Sequence, residues 1–263
     1  MATADKLLSA RLKIDRANKH ISDLEAALVA FKNTNPAAIR GDFDEKTRCY
    51  SYILERFDDI PVDVGLIAAD ALFNLRSALD HTAMQLWIAS GSTGSERNVM
   101  FPIFDSSTKY FAERRRRIQG ARPDIVKSLD TIEPYKGGKG ELLWVLHSLN
   151  NTDKHRLLLT VGAGHCGYDI YPIVARKLAA GRPGSIPSHA SFEVNSKAWQ
   201  CPLEAGAILH TTRPDEEFYE DMKFTFQIAF SEPGVLPRES MLKTLQDMSK
   251  LVANVIDQLG RLL

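Results

Sequence analysis

The stretch from Pro61 to Ser90, PVDVGLIAADALFNLRSALDHTAMQLWIAS, decides the fold of this chain. Its apolar residues recur at helical spacing, which predicts one long helix that buries a stripe in a core. Proline suits the start of such a helix, and Gly91 and Gly94 mark its end. The stripe consists of Ala68, Leu72, Leu75, Leu79, Ala83 and Leu86.

Both ends of the chain carry apolar residues with a seven-residue period. Near the N-terminus the period comprises Leu7, Ile14, Ile21 and Leu28, with Ala10, Ala17, Leu24 and Phe31 in the second heptad position. After Pro237 it comprises Met241, Met248, Val255 and Leu262, with Leu245, Val252 and Leu259. We therefore expect two long helices that pack antiparallel against each other, and the alternative is that these seams join two copies in a homodimer.

The remaining segments predict shorter elements. Helices are expected near Ser106 to Gln119, Asp124 to Leu129 and Glu141 to Asn151, and strands near Lys46 to Ile60, Leu157 to Val161, Tyr168 to Arg176, Ser191 to Val194 and Lys223 to Phe230. The glycine-rich pieces GGKGE and VGAGHCG lack the spacing and flanking elements of phosphate-binding loops, so both are expected to be plain loops.

Helices with a block of strands before the last helix indicate an α+β fold rather than alternating βαβ units. We predict one domain over residues 1–263, with a helical bundle from 1–156 and 237–263 and a mostly antiparallel β-rich insertion at 157–236.

The composition excludes several classes of protein. Thirty-three basic residues balance thirty-three acidic ones, so the chain is not a bulk nucleic-acid coat or a membrane-surface protein. The N-terminus lacks a continuous apolar signal region, and no apolar run is long enough to span a membrane. Three widely spaced cysteines form no CxxC pair and suit a reducing compartment, which predicts a cytoplasmic protein.

One local basic run, Arg114 to Arg117, could still bind an anion. Several positive charges within a turn or two of helix release counterions together when they meet phosphates. Runs of like charge are, however, more often solvated helix faces, and this alternative is the favoured one.

The first polar cluster is LRSALDH, Leu75 to His81. Arg76 and Asp80 are four residues apart and face the same way on a helix, so they can form an ion pair. Asn74, Ser77 and His81 lie on a different arc. Because His81 is five residues after Arg76, the two side chains are not aligned on a straight helix. An ordinary surface ion pair with a hydrogen-bonded histidine is the structural alternative.

The second polar cluster is NNTDKHR, Asn150 to Arg156, between an apolar helix and the apolar run from Leu157. Polar residues between buried segments need hydrogen-bond partners or water. Candidates for binding are Asn151, Asp153, Lys154, His155 and Arg156. A continued helix would put His147 and Asn151 on one face. Alternatively, the asparagines and aspartate merely cap the helix and turn the chain.

Two chemistries could use these clusters. Metal binding would use His81, His147, His155, Asp80 and Asp153, but the chain has no HExxH or ExxH motif, so we expect no metal and no other cofactor. Metal-free acid–base chemistry would use a histidine to move a proton while arginine or lysine stabilises charge on a phosphate. That chemistry suits the cleavage of RNA by its own 2′-hydroxyl.

The residues Arg76-Ser77-Ala78-Leu79-Asp80-His81 resemble the Arg-x4-His signature of HEPN domains. These are small helical bundles that commonly dimerise and often act as metal-independent ribonucleases in bacterial toxin–antitoxin and defence systems. The chain is also similar, from Pro61 to Leu159, to a group of uncharacterised bacterial proteins that carry NLRSALDH, FPI, LW-x-L-H and N-x-DKHR.

The HEPN resemblance implies that Arg76 stabilises a phosphate and that His81 is the acid–base group. To these we add Asp80 as a catalytic residue. The predicted substrate-binding residues are Asn74, Asn151, Asp153, Lys154, His155 and Arg156. The expected partner is RNA or a nucleotide. The alternative is a non-catalytic protein whose polar clusters are structural networks and which acts through a protein partner or a small ligand.

Overall fold

The computed structural model describes residues 5–155, 161–169, 191–193, 201–214, 218–220, 222–231 and 239–263. Its helices are α1 (Leu8–Asn33), α2 (Val62–Ala89), α3 (Ser107–Arg117), α4 (Pro123–Ile132), α5 (Glu141–His155) and α6 (Met241–Gly260), with a short 3-10 helix at Glu96–Asn98. Its strands are β1 (Ala37–Asp44), β2 (Cys49–Phe57), β3 (Val161–Asp169), β4 (Ser191–Glu193), β5 (Ile208–Thr211) and β6 (Lys223–Phe230). The predicted α+β, mainly helical class is confirmed.

Helix α2 forms the centre of the bundle and packs against α1, α5 and α6. All six residues of its predicted stripe are buried. The helix ends where the Ser90 hydroxyl donates to the Leu86 carbonyl, at 2.8 Å, and where Gly91 adopts a left-handed φ of 66°. Burying an apolar helix on several sides contributes most of the hydrophobic stabilisation of such a bundle.

The two terminal helices pack antiparallel within one chain, as predicted. The Lys6 ammonium donates to the Leu263 carbonyl at 2.6 Å, and the Ser249 hydroxyl donates to Asn18 Oδ1 at 2.6 Å. The buried residues of α1 include most of its predicted seam, and α1 also packs along α2. The heptad seam of α1 is therefore occupied by this chain's own helices.

The strands form two three-stranded sheets, in the orders β1-β2-β5 and β4-β3-β6. Every strand pair among the described residues is antiparallel. Aromatic rings connect the sheets: Tyr52 and Phe224 have centroids 5.3 Å apart, and Tyr168 and His210 have centroids 4.5 Å apart. The sheets therefore share an aromatic core at the end of the bundle where α1 ends, since Phe31 of α1 packs on Phe57 of β2.

The strand predictions have mixed outcomes. The strand expected near Lys46 to Ile60 is β2, and the expected strand from Lys223 to Phe230 is β6. The Ser191 to Val194 strand is β4, while most of the segments expected at 157–161 and 168–176 lie outside the described residues, although Tyr168 and Asp169 belong to β3. Strands β1 and β5 were not predicted. Because β1 and β2 lie inside residues 1–156, that part of the chain contributes a sheet as well as helices.

The expectation that VGAGHCG is a plain loop is wrong, because it forms most of β3. Its small residues fit where other chain segments approach closely. A Cβ atom added at Gly162 would lie 3.0 Å from Cys201 Sγ and 3.0 Å from a side-chain atom of Pro202. Glycine in a strand often marks such close approach. GGKGE, by contrast, is the predicted loop between α4 and α5.

No helix among the described residues is long and apolar enough to cross a membrane. The division of one domain into a bundle (1–156 and 237–263) and an insertion (157–236) stays a prediction.

Candidate functional site

Arg76 and Asp80 form the predicted ion pair, and together they hold the backbone of Phe101. The Arg76 Nη2 atom lies 2.9 Å from Asp80 Oδ1 and donates to the Phe101 carbonyl at 3.0 Å. The Phe101 amide donates back to Asp80 Oδ1 at 2.9 Å. We call this three-residue arrangement the Phe101 clamp. It attaches the loop of Phe101, Pro102 and Ile103, which we call the FPI loop, to α2.

The clamp is not the ordinary surface pair that its i,i+4 spacing indicates. Arg76 is only 5% exposed. Burial lowers the pKa of the Arg76 guanidinium, and this effect is opposed by the negative charge of Asp80 and increased by the positive charge of Arg117. A buried charge is costly unless its partners are complete. Within the described part of the chain, Arg76 Nη1 has no hydrogen-bond partner.

The four arginines at the end of α3, Arg114 to Arg117, differ in their burial. Arg114 turns inward, with its Nε atom 2.7 Å from Asp130 Oδ1 and its Nη2 donating to Asp130 Oδ2 at 3.1 Å. Arg115 and Arg116 are exposed, which fits the solvated-face alternative for these two. Arg117 is half-buried, and its carbonyl accepts from the amide of Met100, next to the Phe101 clamp, at 3.3 Å.

A second buried polar network lies around Arg114 and was not predicted. The Tyr110 hydroxyl donates to Asp130 Oδ1 at 2.9 Å. Burial raises the pKa of Tyr110, and the hydrogen bond to Asp130 raises it further. The Arg114 guanidinium also lies 4.9 Å from the centroid of the Phe111 ring, a cation–π distance. We call Tyr110, Arg114 and Asp130 the Asp130 network, and it attaches α3 to α4.

His81 lies one residue beyond Asp80 and is half-buried. Its Nδ1 atom is buried and, among the described residues, has no hydrogen-bond partner. Asn74, predicted to bind substrate, is instead 8% exposed at the contact between α1 and α2. Its Oδ1 accepts from the Lys13 ammonium at 3.3 Å, and its Nδ2 donates to the Asp70 carbonyl at 2.8 Å. These contacts occupy Asn74 within the chain.

The NNTDKHR cluster lies on helix rather than in a turn, because α5 continues to His155. The alternative in which Asn150 and Asn151 end the helix is therefore wrong. His147 and Asn151 share a face as predicted, with Asn151 Nδ2 donating to His147 Nε2 at 3.0 Å. Asn150 is 2% exposed, and its Nδ2 has no acceptor within the described residues.

The rest of the second cluster is only partly described. Asp153, Lys154 and His155 lie in the last turn of α5, and Arg156 lies outside the described residues. Helices α2 and α5, which carry the two clusters, pack against each other. Whether the clusters contact one ligand stays a prediction, as do the catalytic and binding roles of all these residues.

The sheets contain a group of histidines and aromatics that the sequence reasoning missed. His165 is 5% exposed, and its Nε2 donates to the Gly167 carbonyl at 2.9 Å. Burial lowers the pKa of His165, and the nearby His210 lowers it further. The available signal was the alternation of aromatics in KFTFQIAF, which indicates one apolar face of a strand. These rings fill the space between the sheets.

The described residues contain no candidate metal site. Nowhere among them do three or more histidine, cysteine or acidic side chains lie close enough to hold an ion.

Comparisons with protein-family models, with curated proteins and with solved structures find no match to this chain. The fold class is thus established by the structure alone, and any function has to be argued from the residues.

Proposed function

We propose that this chain is a cytoplasmic, HEPN-like protein that binds RNA or a nucleotide, and that it acts as a metal-independent ribonuclease of a bacterial toxin or defence type. The observation that carries the proposal is the Phe101 clamp. The clamp contains a buried guanidinium whose Nη1 donor has no partner among the described residues, and the half-buried His81 follows it in the next turn of α2.

The surroundings of the clamp favour an anionic ligand. The end of α3 is attached to the FPI loop at Met100, so Arg117 lies on the same side of α2 as the clamp. Exposed Arg115 and Arg116 precede it. Although the whole chain carries no net charge, this region provides a local excess of positive charge. Such a local excess attracts phosphate-bearing ligands and holds them by charge-assisted hydrogen bonds.

Cleavage would follow metal-free chemistry. The RNA 2′-oxygen attacks its own phosphorus, the bond from phosphorus to the 5′-oxygen breaks, and a 2′,3′-cyclic phosphate and a free 5′-hydroxyl result. His81 accepts the proton of the 2′-hydroxyl, and a second acid, water or His155, returns one to the leaving oxygen. Arg76 stabilises the negative charge on the phosphoryl oxygens, and Asp80 orients Arg76. Lys154 and Arg156 are proposed to bind the neighbouring phosphates.

The second candidate is a non-catalytic protein that acts through a protein partner or a small ligand. It is favoured by the full use of Arg76 Nη2, which holds both Asp80 and the Phe101 carbonyl and so has a structural role already. In this alternative, Nη1 donates to water, and His81 donates to a neighbouring element.

Incubation of the purified chain with mixed RNA in excess EDTA separates the candidates. The proposal predicts cleavage products ending in cyclic phosphate and their loss in His81→Ala. A control is His210→Ala, which removes another half-buried histidine, from β5. RNA that stays intact with the unmutated chain would exclude the ribonuclease, and absence of RNA and nucleotide binding as well would leave the non-catalytic candidate.

The proposal includes a homodimer, because HEPN domains commonly dimerise. Light scattering on the purified chain tests this part, and a single species with the mass of one 29.3 kDa chain would contradict it.

A further inference from the structure

We propose that Arg76 and Arg117 together bind one phosphate group, and that this phosphate supplies the acceptor that the Phe101 clamp lacks. The inference rests on the proposed function and deepens it by naming the group recognised and a second residue that holds it. Arg117 is the last residue of α3 and is assigned here as a binding residue, in contrast to its exposed neighbours Arg115 and Arg116.

The first step of the argument is an inventory of donors. A guanidinium has five N–H groups in a fixed planar fork. Nη2 of Arg76 donates to the Phe101 carbonyl and lies 2.9 Å from Asp80 Oδ1. Nη1 is buried and, within the described residues, meets no acceptor. Buried donors on charged groups are almost always paired, so Nη1 indicates a missing oxygen.

The second step is the balance of charge. The Arg76 guanidinium feels two other charges: the carboxylate of Asp80, whose side chain is 36% exposed and therefore partly screened by water, and the positive charge of Arg117, which lowers the pKa of Arg76. Arg76 itself is 5% exposed, so its charge is not screened in the same way. The region carries an excess of one positive charge. A neutral water would satisfy the donor but not this charge, whereas an anion satisfies both.

The third step is the backbone that fixes the two arginines. The Met100 amide binds the Arg117 carbonyl at 3.3 Å, and the next residue, Phe101, is held by Arg76 and Asp80. Arg117 and Arg76 are thereby attached to consecutive residues of one loop. Preorganisation of the Arg76 side chain and of the Arg117 backbone lowers the entropy cost of holding a ligand between these residues.

The chemistry of the donors specifies the ligand class. Guanidinium groups match the planar spacing of two oxygens in phosphate and carboxylate groups. A phosphate monoester carries more charge than a carboxylate and therefore compensates two arginines better. The predicted ligand is the phosphate of a nucleotide or of RNA, recognised independently of the base at this position.

The test compares phosphate protection of the unmutated chain, Arg117→Gln and Arg115→Gln by thermal unfolding. The two substitutions remove the same charge from the same helix, at a half-buried and an exposed position. Inorganic phosphate, AMP and adenosine are the probes, with sodium chloride at equal ionic strength as the baseline. At about ten times its Kd, phosphate should raise the Tm of the unmutated chain by about 2 °C. AMP should act likewise and adenosine should not.

Arg117→Gln should weaken the affinity for phosphate about tenfold, because one charge-assisted contact is lost, and so reduce the rise in Tm at the same phosphate concentration about threefold, while Arg115→Gln should behave as the unmutated chain does. Equal losses of phosphate protection in both variants would overturn the inference. They would indicate that phosphate responds only to the overall positive charge of α3. Phosphate that protects no better than chloride would overturn it too.

RNA binding by the same proteins distinguishes this inference from the proposed function. If phosphate protects through Arg117 but RNA does not bind, the proposed function fails and the phosphate site stands. If RNA binds equally to the unmutated chain and to Arg117→Gln, and phosphate protects neither, the phosphate site fails and the proposed function stands.

Discussion

The Phe101 clamp and the Asp130 network both bury an arginine against an aspartate, yet they differ in how completely the arginine is used. Arg114 meets both oxygens of Asp130, and an aromatic ring of α3 covers its guanidinium. The Tyr110 hydroxyl binds the same carboxylate. Arg76 meets one oxygen of Asp80 and one carbonyl, and its Nη1 has no acceptor in the described chain.

The difference teaches how a structural arginine is distinguished from a candidate binding arginine. Burial alone does not separate them, because both guanidinium groups are largely buried. What separates them is the use of the two terminal nitrogens: both Nη atoms of Arg114 donate hydrogen bonds and its Nε, although without a hydrogen bond among the described residues, lies 2.7 Å from Asp130 Oδ1, whereas Arg76 Nη1 has no partner there. An arginine whose two terminal nitrogens are both bound within the protein serves stability, and one with an unbound terminal nitrogen is a candidate for binding an outside group.

The largest expected effect is the loss of the Phe101 clamp. Arg76→Ala removes the guanidinium that holds Asp80 and the FPI loop, and it should lower the free energy of unfolding by about 3 kcal/mol, since one partner of a buried pair is left alone. Urea unfolding measures the change. Arg115→Ala, an exposed arginine of α3, is the control and should leave the midpoint nearly unchanged. A midpoint for Arg76→Ala equal to that of the control would show that the clamp contributes little.

The next effect concerns the Asp130 network. Asp130→Asn leaves the Arg114 charge without its carboxylate and should cost about 2 kcal/mol in urea unfolding. Asp105→Asn is the matched control, because Asp105 pairs with Lys109 at the surface and its loss should barely move the midpoint. Phosphate protection should survive Asp130→Asn. Loss of phosphate protection in Asp130→Asn would mean that Arg76 and Arg114 do not act independently.

A smaller effect is expected from the loss of the tyrosine hydroxyl of the Asp130 network. Tyr110→Phe removes one hydrogen bond to a charged acceptor and should cost about 1.5 kcal/mol. A double-mutant cycle with Asp130→Asn should give a coupling of about 1 kcal/mol, because the two groups are in direct contact. Additive effects in the cycle would mean that the hydroxyl is stabilised elsewhere.

The smallest effect is a pH dependence that comes from His165, outside both arginine pairs. Burial lowers the pKa of His165 below its ordinary value of 6.5, so the unfolded chain binds a proton more readily than the folded one. The contribution of His165 to stability is then full above that value and declines as the pH falls through and below it. Urea midpoints between neutral and mildly acidic pH test this.

His165→Gln, whose amide can donate to the Gly167 carbonyl in place of Nε2, should flatten the pH profile of the midpoint. A profile with the same slope in this variant would assign the pH dependence to other groups.

The helices could be predicted because their signal is local. The stripe of α2 and the heptads of α1 and α6 repeat within a few residues, and the Arg76–Asp80 pair lies within one turn. Strands β1 and β5 were missed because their pairing partners are distant in sequence: Thr212, just after β5, binds the Tyr50 amide of β2 across 162 residues. Strand β3 was missed because its glycines are typical of loops. The close packing that requires them is apparent only in the tertiary structure.

The candidate site was predictable in its residues but not in its partners. Spacing on one helix identifies Arg76, Asp80 and His81, but the Phe101 backbone that completes the clamp lies 25 residues from Arg76. In the same way, the arginine run gives no sign that Arg114 turns toward Asp130, 16 residues away. Local patterns reveal which residues share a face, whereas burial and hydrogen-bond partners depend on the tertiary fold.

A crystal structure of the chain grown with AMP would test the central claim most directly. We predict a phosphate oxygen within hydrogen-bond distance of Arg76 Nη1, with the Arg117 guanidinium on the same phosphate and the Phe101 clamp intact. A water molecule alone at Nη1, with AMP bound elsewhere or nowhere, would contradict the account and would place Arg76 with Arg114 among the purely structural arginines.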